Sequence, residues 1–206
     1  MTMSCEGAPG ALLVIISGPS GVGKDTMIEA LRAHHTGPEY RYVVTCTTRE
    51  RRPGEIDGVH YRFLPEEAFY RLRQAGELLE ANEVHGHWYG TPRDQICAGL
   101  AAGQTVILKI DVQGAQVVKR RVPEALLIFL VPPSLEALFV RLRARATESA
   151  DELELRQRNA AIELARQEDY DQVVVNETGQ VARTAATIDR IIAAERASHP
   201  DRRLGV

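Results

Sequence analysis

Cysteine is scarce in this chain and odd in number. Cys5, Cys46 and Cys97 are the three among 206 residues, and they lie far apart. They fit neither a disulfide framework nor a zinc site, which predicts a reducing compartment. An excess of charge of one sign is also lacking. Lys and Arg total 25 against 28 Asp and Glu, a net charge of −3. That is no electrostatic footprint for nucleic acid, and no nucleic-acid partner is expected. The N-terminal apolar run is too short for a membrane span or a signal peptide, and no basic region precedes it. No membrane partner is expected, and a cytoplasmic location follows by default. Repeats and low-complexity linkers are absent. What remains is an ordinary globular composition, 44% hydrophobic and 26% charged. The length suits one α/β domain with a modest lid or insertion.

The densest signal is Gly18-Pro19-Ser20-Gly21-Val22-Gly23-Lys24. The apolar run Ala11-Leu12-Leu13-Val14-Ile15-Ile16 precedes it, and Met27-Ile28-Glu29-Ala30-Leu31 follows with a helical pattern. Strand, glycine-rich turn and helix in that order form a P-loop. Glycines let backbone N–H groups turn inward around phosphate oxygens, the helix start adds its dipole, and Lys24 adds a mobile cation. The chain is therefore expected to bind a nucleoside triphosphate through residues 18–26. One position departs from the pattern, which wants Ser or Thr after the lysine to reach Mg²⁺. Here Asp25 stands there, with Thr26 next. A step of one residue rotates a helical side chain by about 100°, so Thr26 is no automatic substitute. Asp25 either ligates the metal as a carboxylate or serves the helix N-terminus.

Apolar strands alternating with helical patterns predict an α/β fold, a mostly parallel sheet covered by helices. Strands are expected at 11–17, 42–46, 105–110, 126–131 and 173–175, with a hairpin from 78–84 and 87–89 around His85-Gly86. Helices are expected at 24–35, 65–75, 92–102, 134–145, from about 151, and at 181–196. The polar, basic stretch 47–54 reads as loop.

A set of spacings then narrows the reading. Thr45-Cys46-Thr47-Thr48-Arg49-Glu50-Arg51-Arg52-Pro53-Gly54-Glu55, followed by Gly58-Val59-His60-Tyr61, resembles the nucleoside monophosphate loop of guanylate kinases. So do Glu80, Trp88-Tyr89-Gly90-Thr91 and Ile110-Asp111-Val112-Gln113-Gly114. Arg141, Arg145-Ala146-Thr147-Glu148-Ser149 and Arg156 are similar to that family's lid. Tyr170-Asp171-Gln172-Val173-Val174-Val175-Asn176 resembles its ending, so the likeness covers about 11–196 in matching order. It implies a core of about 11–41, 92–140 and 170–196, a GMP-binding region of about 42–91 and a lid of about 141–158. It also implies roles: Arg49, Arg52, Tyr61 and Tyr89 on the GMP phosphate, and Thr45, Glu80, Thr91 and Asp111 on guanine. Lys24, Arg141, Arg145 and Arg156 would act at the ATP phosphates, with Mg²⁺ entering as the companion of ATP.

The residue chemistry agrees. Guanine presents two donors, N1–H and the exocyclic amine, which suit carboxylate acceptors such as Glu80 and Asp111. Arginines grip phosphate bidentately. Phosphoryl transfer asks for positioning and charge neutralisation, not a nucleophilic side chain. Arg51, between the matched arginines, reads as surface. His85 and His87 share a strand face but lack a third metal ligand, and read as surface too. Lys109 stands where the family commonly has an acid, and is expected to pair with Asp111 or with Asp25. Ala146 replaces the usual lid glycine. The expected activity is ATP-dependent conversion of GMP to GDP, a recycling step for guanine nucleotides. Two alternatives remain. One is a ribose bisphosphate kinase on the same scaffold, whose members resemble this chain in having Asp after the lysine. The other is a non-catalytic interaction module.

Overall fold

The computed structural model describes residues 5–35, 37, 39–84, 86–144 and 150–206. The chain runs β1 (Leu12–Ser17), α1 (Lys24–His34), β2 (Tyr40–Tyr42), β3 (Cys46–Thr47), β4 (Arg62–Phe63), α2 (Glu66–Gln74), β5 (Leu78–Val84), β6 (His87–Pro92) and α3 (Arg93–Ala101). It continues through β7 (Thr105–Lys109), α4 (Val112–Arg121), β8 (Leu126–Val131), α5 (Leu135–Ala144), α6 (Ala150–Leu164), a 3-10 turn (Ala165–Asp169), β9 (Gln172–Val175) and α7 (Val181–Ser198).

Among the described residues the main sheet has the order β2-β7-β1-β8-β9, and every pairing in it is parallel. The apolar runs explain this. A strand buried on both faces needs no polar side, and β1 sends Leu13 and Ile15 to one core and Leu12, Val14 and Ile16 to the other. Ile96 and Leu100 of α3 and Ala115 and Val118 of α4 cover the first face. Met27 and Leu31 of α1, Leu138 and Leu142 of α5 and Ile188 and Ile192 of α7 cover the second. Chain direction diverges to either side of β1, so the crevice at its C-terminal end is where such sheets bind ligands.

A second sheet, order β4-β3-β6-β5, stands over that end and holds a small core of its own, Cys46, Phe69 and Leu78. The single strand expected at 42–46 is in fact divided between the two sheets. Val43 N still bonds Ile107 O of β7 at 2.9 Å, but Gln95 of α3 takes both backbone groups of Val44, at 2.9 Å each. Cys46 and Thr47 then pair with β6 and β4. A side chain from a distant helix ends the first pairing, and nothing in β-branched content signals that. The expectation also lacked α4. Its helix starts where Asp111 accepts from Gly114 N at 2.9 Å, a carboxylate cap on the first turn.

The cysteine reading is overturned. Cys5 and Cys97 form a disulfide, with Cα atoms 5.5 Å apart and a sequence separation of 92. Residues 5–7 run antiparallel to 204–206, through Cys5 N to Val206 O at 2.9 Å and Gly7 N to Leu204 O at 2.8 Å. Ala8 N adds a bond to Leu100 O at 2.9 Å, which lays the segment on α3 beside Cys97. The inference of a reducing compartment loses its premise. Cys46 is the free, buried thiol.

Candidate functional site

The turn after β1 needs glycine at its first position. Gly18 has φ 147°, and a Cβ there would run into the Leu130 carbonyl of β8. Lys24 opens α1 and folds back over this turn, donating to Gly18 O at 2.6 Å and Pro19 O at 3.1 Å. Burial pulls its pKa below the ordinary value, against the opposing pull of Glu163, Asp111 and Asp25. Val22 is buried in the core under the turn, while its carbonyl accepts from Asn176 Nδ2 at 2.8 Å and Arg141 Nη1 at 3.2 Å. Arg141 also holds Asn176 O and Thr178 Oγ1, at 3.3 and 2.8 Å. It therefore braces the outside of the turn and does not line the cavity. From α6, Glu163 accepts from Ser20 N at 3.1 Å and Arg156 donates to Ser20 Oγ at 3.2 Å. Arg145, Ala146 and His85 lie outside the described residues. Thr26 is exposed on α1, away from the cavity lining.

That cavity has a volume of about 460 Å³ and joins the turn to the second sheet. Gly18, Ser20, Gly21, Gly23, Lys24 and Asp25 line one end; Thr45, Arg49, Arg52, Tyr61, Glu80 and Tyr89 line the other, with Asp111 between. Glu80 and Thr91 are cross-strand partners in β5 and β6, and Thr91 Oγ1 donates to Glu80 Oε1 at 2.6 Å. Asn82, two residues along the same strand face, donates to Oε2 at 2.6 Å. Glu80 is 3% exposed, and burial pushes its carboxyl up to about 7 although both hydrogen bonds pull the other way. Gly114 lets the Glu80 carboxyl pack closely on α4: a Cβ there would sit 3.1 Å from Glu80 Oε2, so the carboxyl would have to shift by a few tenths of an ångström.

Arg49 is buried but well supported. It bonds Glu55 Oε1 at 2.7 Å and Glu50 O at 2.6 Å, and lies 5.7 Å over the rings of Tyr61 and Phe63. Burial works against its charge; Glu55 and Tyr89 outweigh that and hold the pKa above its ordinary value. Its Nε is buried with no hydrogen-bond partner. Arg52 lines the cavity, and its backbone N–H is fixed by Glu55 Oε2 at 2.8 Å. Tyr61 and Tyr89 meet edge to face, 6.0 Å between centroids. Lys109 pairs with Asp25 and not with Asp111, whose Oδ1 caps α4. Burial opposes its charge, but Tyr61 and Asp25 raise its pKa beyond the ordinary value.

Arg51 is exposed, as expected, and His87 lines the cavity rim. Sequence reasoning gave no role to Glu55, Asn82, Gln95, Glu163 or Asn176. For Asn82 the i, i+2 spacing from Glu80 was a usable signal, and Glu55 acts within its own loop on Arg49 and Arg52, whereas Gln95, Glu163 and Asn176 act across distances that only folding closes.

Comparison with known proteins identifies the family. The guanylate kinase family model matches residues 11–195. The guanylate kinase of Symbiobacterium thermophilum is 46% identical over 189 residues, covering 92% of this chain and 88% of that protein. That of Lactobacillus acidophilus is 44% identical, covering 91% and 90%. A crystal structure of guanylate kinase from Anaplasma phagocytophilum superimposes with TM-score 0.71 at 32% identity, over 93% of this chain and 88% of that one.

Proposed function

Because the chain belongs to the guanylate kinase family, we propose that it transfers the γ-phosphoryl group of ATP to GMP, releasing ADP and GDP. The carrying observation is that one cavity joins the Lys24 phosphate turn to the buried Glu80 carboxyl, which Thr91 and Asn82 hold from behind by donating to it. In its ionised form Glu80 accepts from guanine N1–H and the exocyclic amine. Adenine has no N1–H and would leave it unpaired. Thr45 and Asp111 complete the base site. Arg49, Arg52, Tyr61 and Tyr89 hold the GMP phosphate, and the orphan Arg49 Nε gains a partner there. A ribose bisphosphate offers no base for Glu80 to read, and an interaction module has no use for a buried Lys24.

The chemistry is an in-line displacement. A GMP phosphate oxygen forms a bond to the γ-phosphorus while the bond to the β–γ bridging oxygen breaks, leaving ADP. Lys24 and backbone N–H groups of residues 18–26, Pro19 having none, hold the donor phosphates, and Lys24 follows the moving charge. Arg156, and Arg145 by its match to the family's lid, neutralise the same oxygens; Arg141 keeps the turn in shape. Mg²⁺ suits the donor set here. Asp25 is a hard oxygen ligand, 44% exposed on its side chain, at the start of α1. Among the described residues no three metal-ligating side chains cluster, so phosphate oxygens and waters would complete the shell. Held by Asp25 together with ATP, the ion would neutralise part of the phosphate charge.

The test is a coupled assay with ATP against GMP, AMP, UMP and a ribose bisphosphate, with GTP as an alternative donor. Turnover strongly favouring ATP and GMP is the expected result; a preference for another acceptor overturns the reading.

A further inference from the structure

We propose that Lys109 is a catalytic residue of this transfer, a fixed cation between donor and acceptor phosphates that Asp25 and Tyr61 hold in place. The proposal rests on the GMP kinase reading above and adds a residue to it. Lys109 ends β7, in register with Ile16 of β1, one residue short of the end of the strand that feeds the phosphate turn. Its Nζ donates to Asp25 Oδ1 in the first turn of α1, which is the donor end of the cavity. The same Nζ lies 4.2 Å from the Tyr61 ring centroid, which is the acceptor end. Tyr61 in turn packs against Tyr89 and beneath the Arg49 guanidinium. One ammonium group therefore touches both halves of the site.

A tether between β7 and α1 is a poor account of this arrangement. The Lys109 side chain is 12% exposed and that of Asp25 44%. Desolvating an ammonium is costly, and a partner half in water returns little of that cost. Lys24 lines the same cavity, so two lysines converge where like charges repel. Carboxylates share the lining, Asp25 and Asp111 among them, but two lysines gathered at the phosphate turn still suit a polyanion that occupies the cavity. Two nucleotides supply the phosphates of ATP and GMP there, and the charge that develops during transfer falls between them. Asp25 is then a positioning residue for Lys109 as well as a candidate ligand of the metal.

The test compares wild type, Lys109→Met, Lys109→Arg, and Lys109→Met combined with Asp25→Asn. With ATP and GMP saturating, Lys109→Met should lower kcat by about 10²–10³-fold, and Lys109→Arg should recover part of that loss. Calorimetry without ATP should show GMP binding about tenfold weaker in Lys109→Met, while guanosine, which lacks the phosphate, binds as in wild type. The paired variant removes both charges and keeps the measurement available should Lys109→Met alone unfold; it should lose kcat to a similar extent. Wild-type kcat and GMP affinity in Lys109→Met, or in the paired variant, overturn the proposal. So does an equal loss for GMP and guanosine, which marks a collapsed site and not a missing phosphate contact. Absence of GMP turnover in the wild type is a different result, and defeats the functional reading itself.

Discussion

Replacing Glu80 with Gln should separate recognition from stability. Burial pushes the Glu80 carboxyl up to about 7 from an ordinary value of 4.5. At about 1.4 kcal/mol per pH unit, that rise sets the folded state against the ionised form by about 3 kcal/mol. In the unfolded chain the same group ionises near its ordinary value at no such cost. The residue's contribution to stability is therefore whole below about pH 4.5, declines as pH rises, and is gone above about pH 7. Gln carries no charge to bury. The Glu80→Gln protein should melt above wild type at pH 8, by up to roughly 6–12 °C for a chain of this size, and the gap should close toward pH 5. Recognition moves the other way. The carboxylate accepts both guanine donors, whereas the amide turns a donor of its own toward one of them. Losing a charge-assisted bond of about 1.5–3 kcal/mol should lower kcat/KM for GMP by roughly 10–150-fold, with little change for AMP. Wild-type KM for GMP should also rise as pH falls through about 7, because protonation takes away an acceptor, and the variant should lack that limb. Thermal melts from pH 5 to 8 and coupled assays on both nucleotides read all of this. A melting difference that does not vary with pH, or an unchanged GMP to AMP ratio, refutes the reasoning.

Lys24→Ala should lower kcat by about 10³-fold or more while far-UV dichroism stays native, since the side chain acts on the transferring phosphate; wild-type turnover would sink the donor-site assignment. Arg52→Ala should raise KM for GMP by roughly 10–150-fold, the worth of one charge-assisted contact, and leave KM for ATP alone. A rise confined to ATP would mean the two ends of the cavity are assigned the wrong way round. Reducing Cys5–Cys97 opens a loop of 92 residues, which by chain entropy costs about 4.5 kcal/mol. Melting should fall by roughly 9–18 °C in dithiothreitol, and Cys97→Ser should show the lower value with or without reductant. Equal wild-type melting in both conditions would remove the staple from the account.

Short-range physics made part of this protein legible in one dimension. The run 11–16 ahead of the phosphate turn is apolar at every position, as a strand buried on both faces requires, and the helices α1, α2, α3, α5 and α7 fall within about two residues of their pattern-based bounds. Gly76 and Gly103 stop α2 and α3 because each takes a positive φ that other residues resist. The spacings around Arg49, Glu80, Tyr89 and Asp111 identified the family, since a motif is itself a local object. Other features required the folded chain. Val44 leaves the main sheet because Gln95, 51 residues away, claims its backbone. Cys5 finds Cys97 because the two chain ends pair on α3. Arg141 turns to the back of the phosphate turn because Asn176 and Thr178 are there. Asp25 meets Lys109 across 84 residues, and the sequence had left Asp111 equally open as its partner. The pKa of Glu80 is likewise set by how little water reaches it, and no residue's neighbours in sequence determine that. Helix and strand patterns follow from interactions over three or four residues, whereas partners, burial and proton affinity follow from what packing brings together.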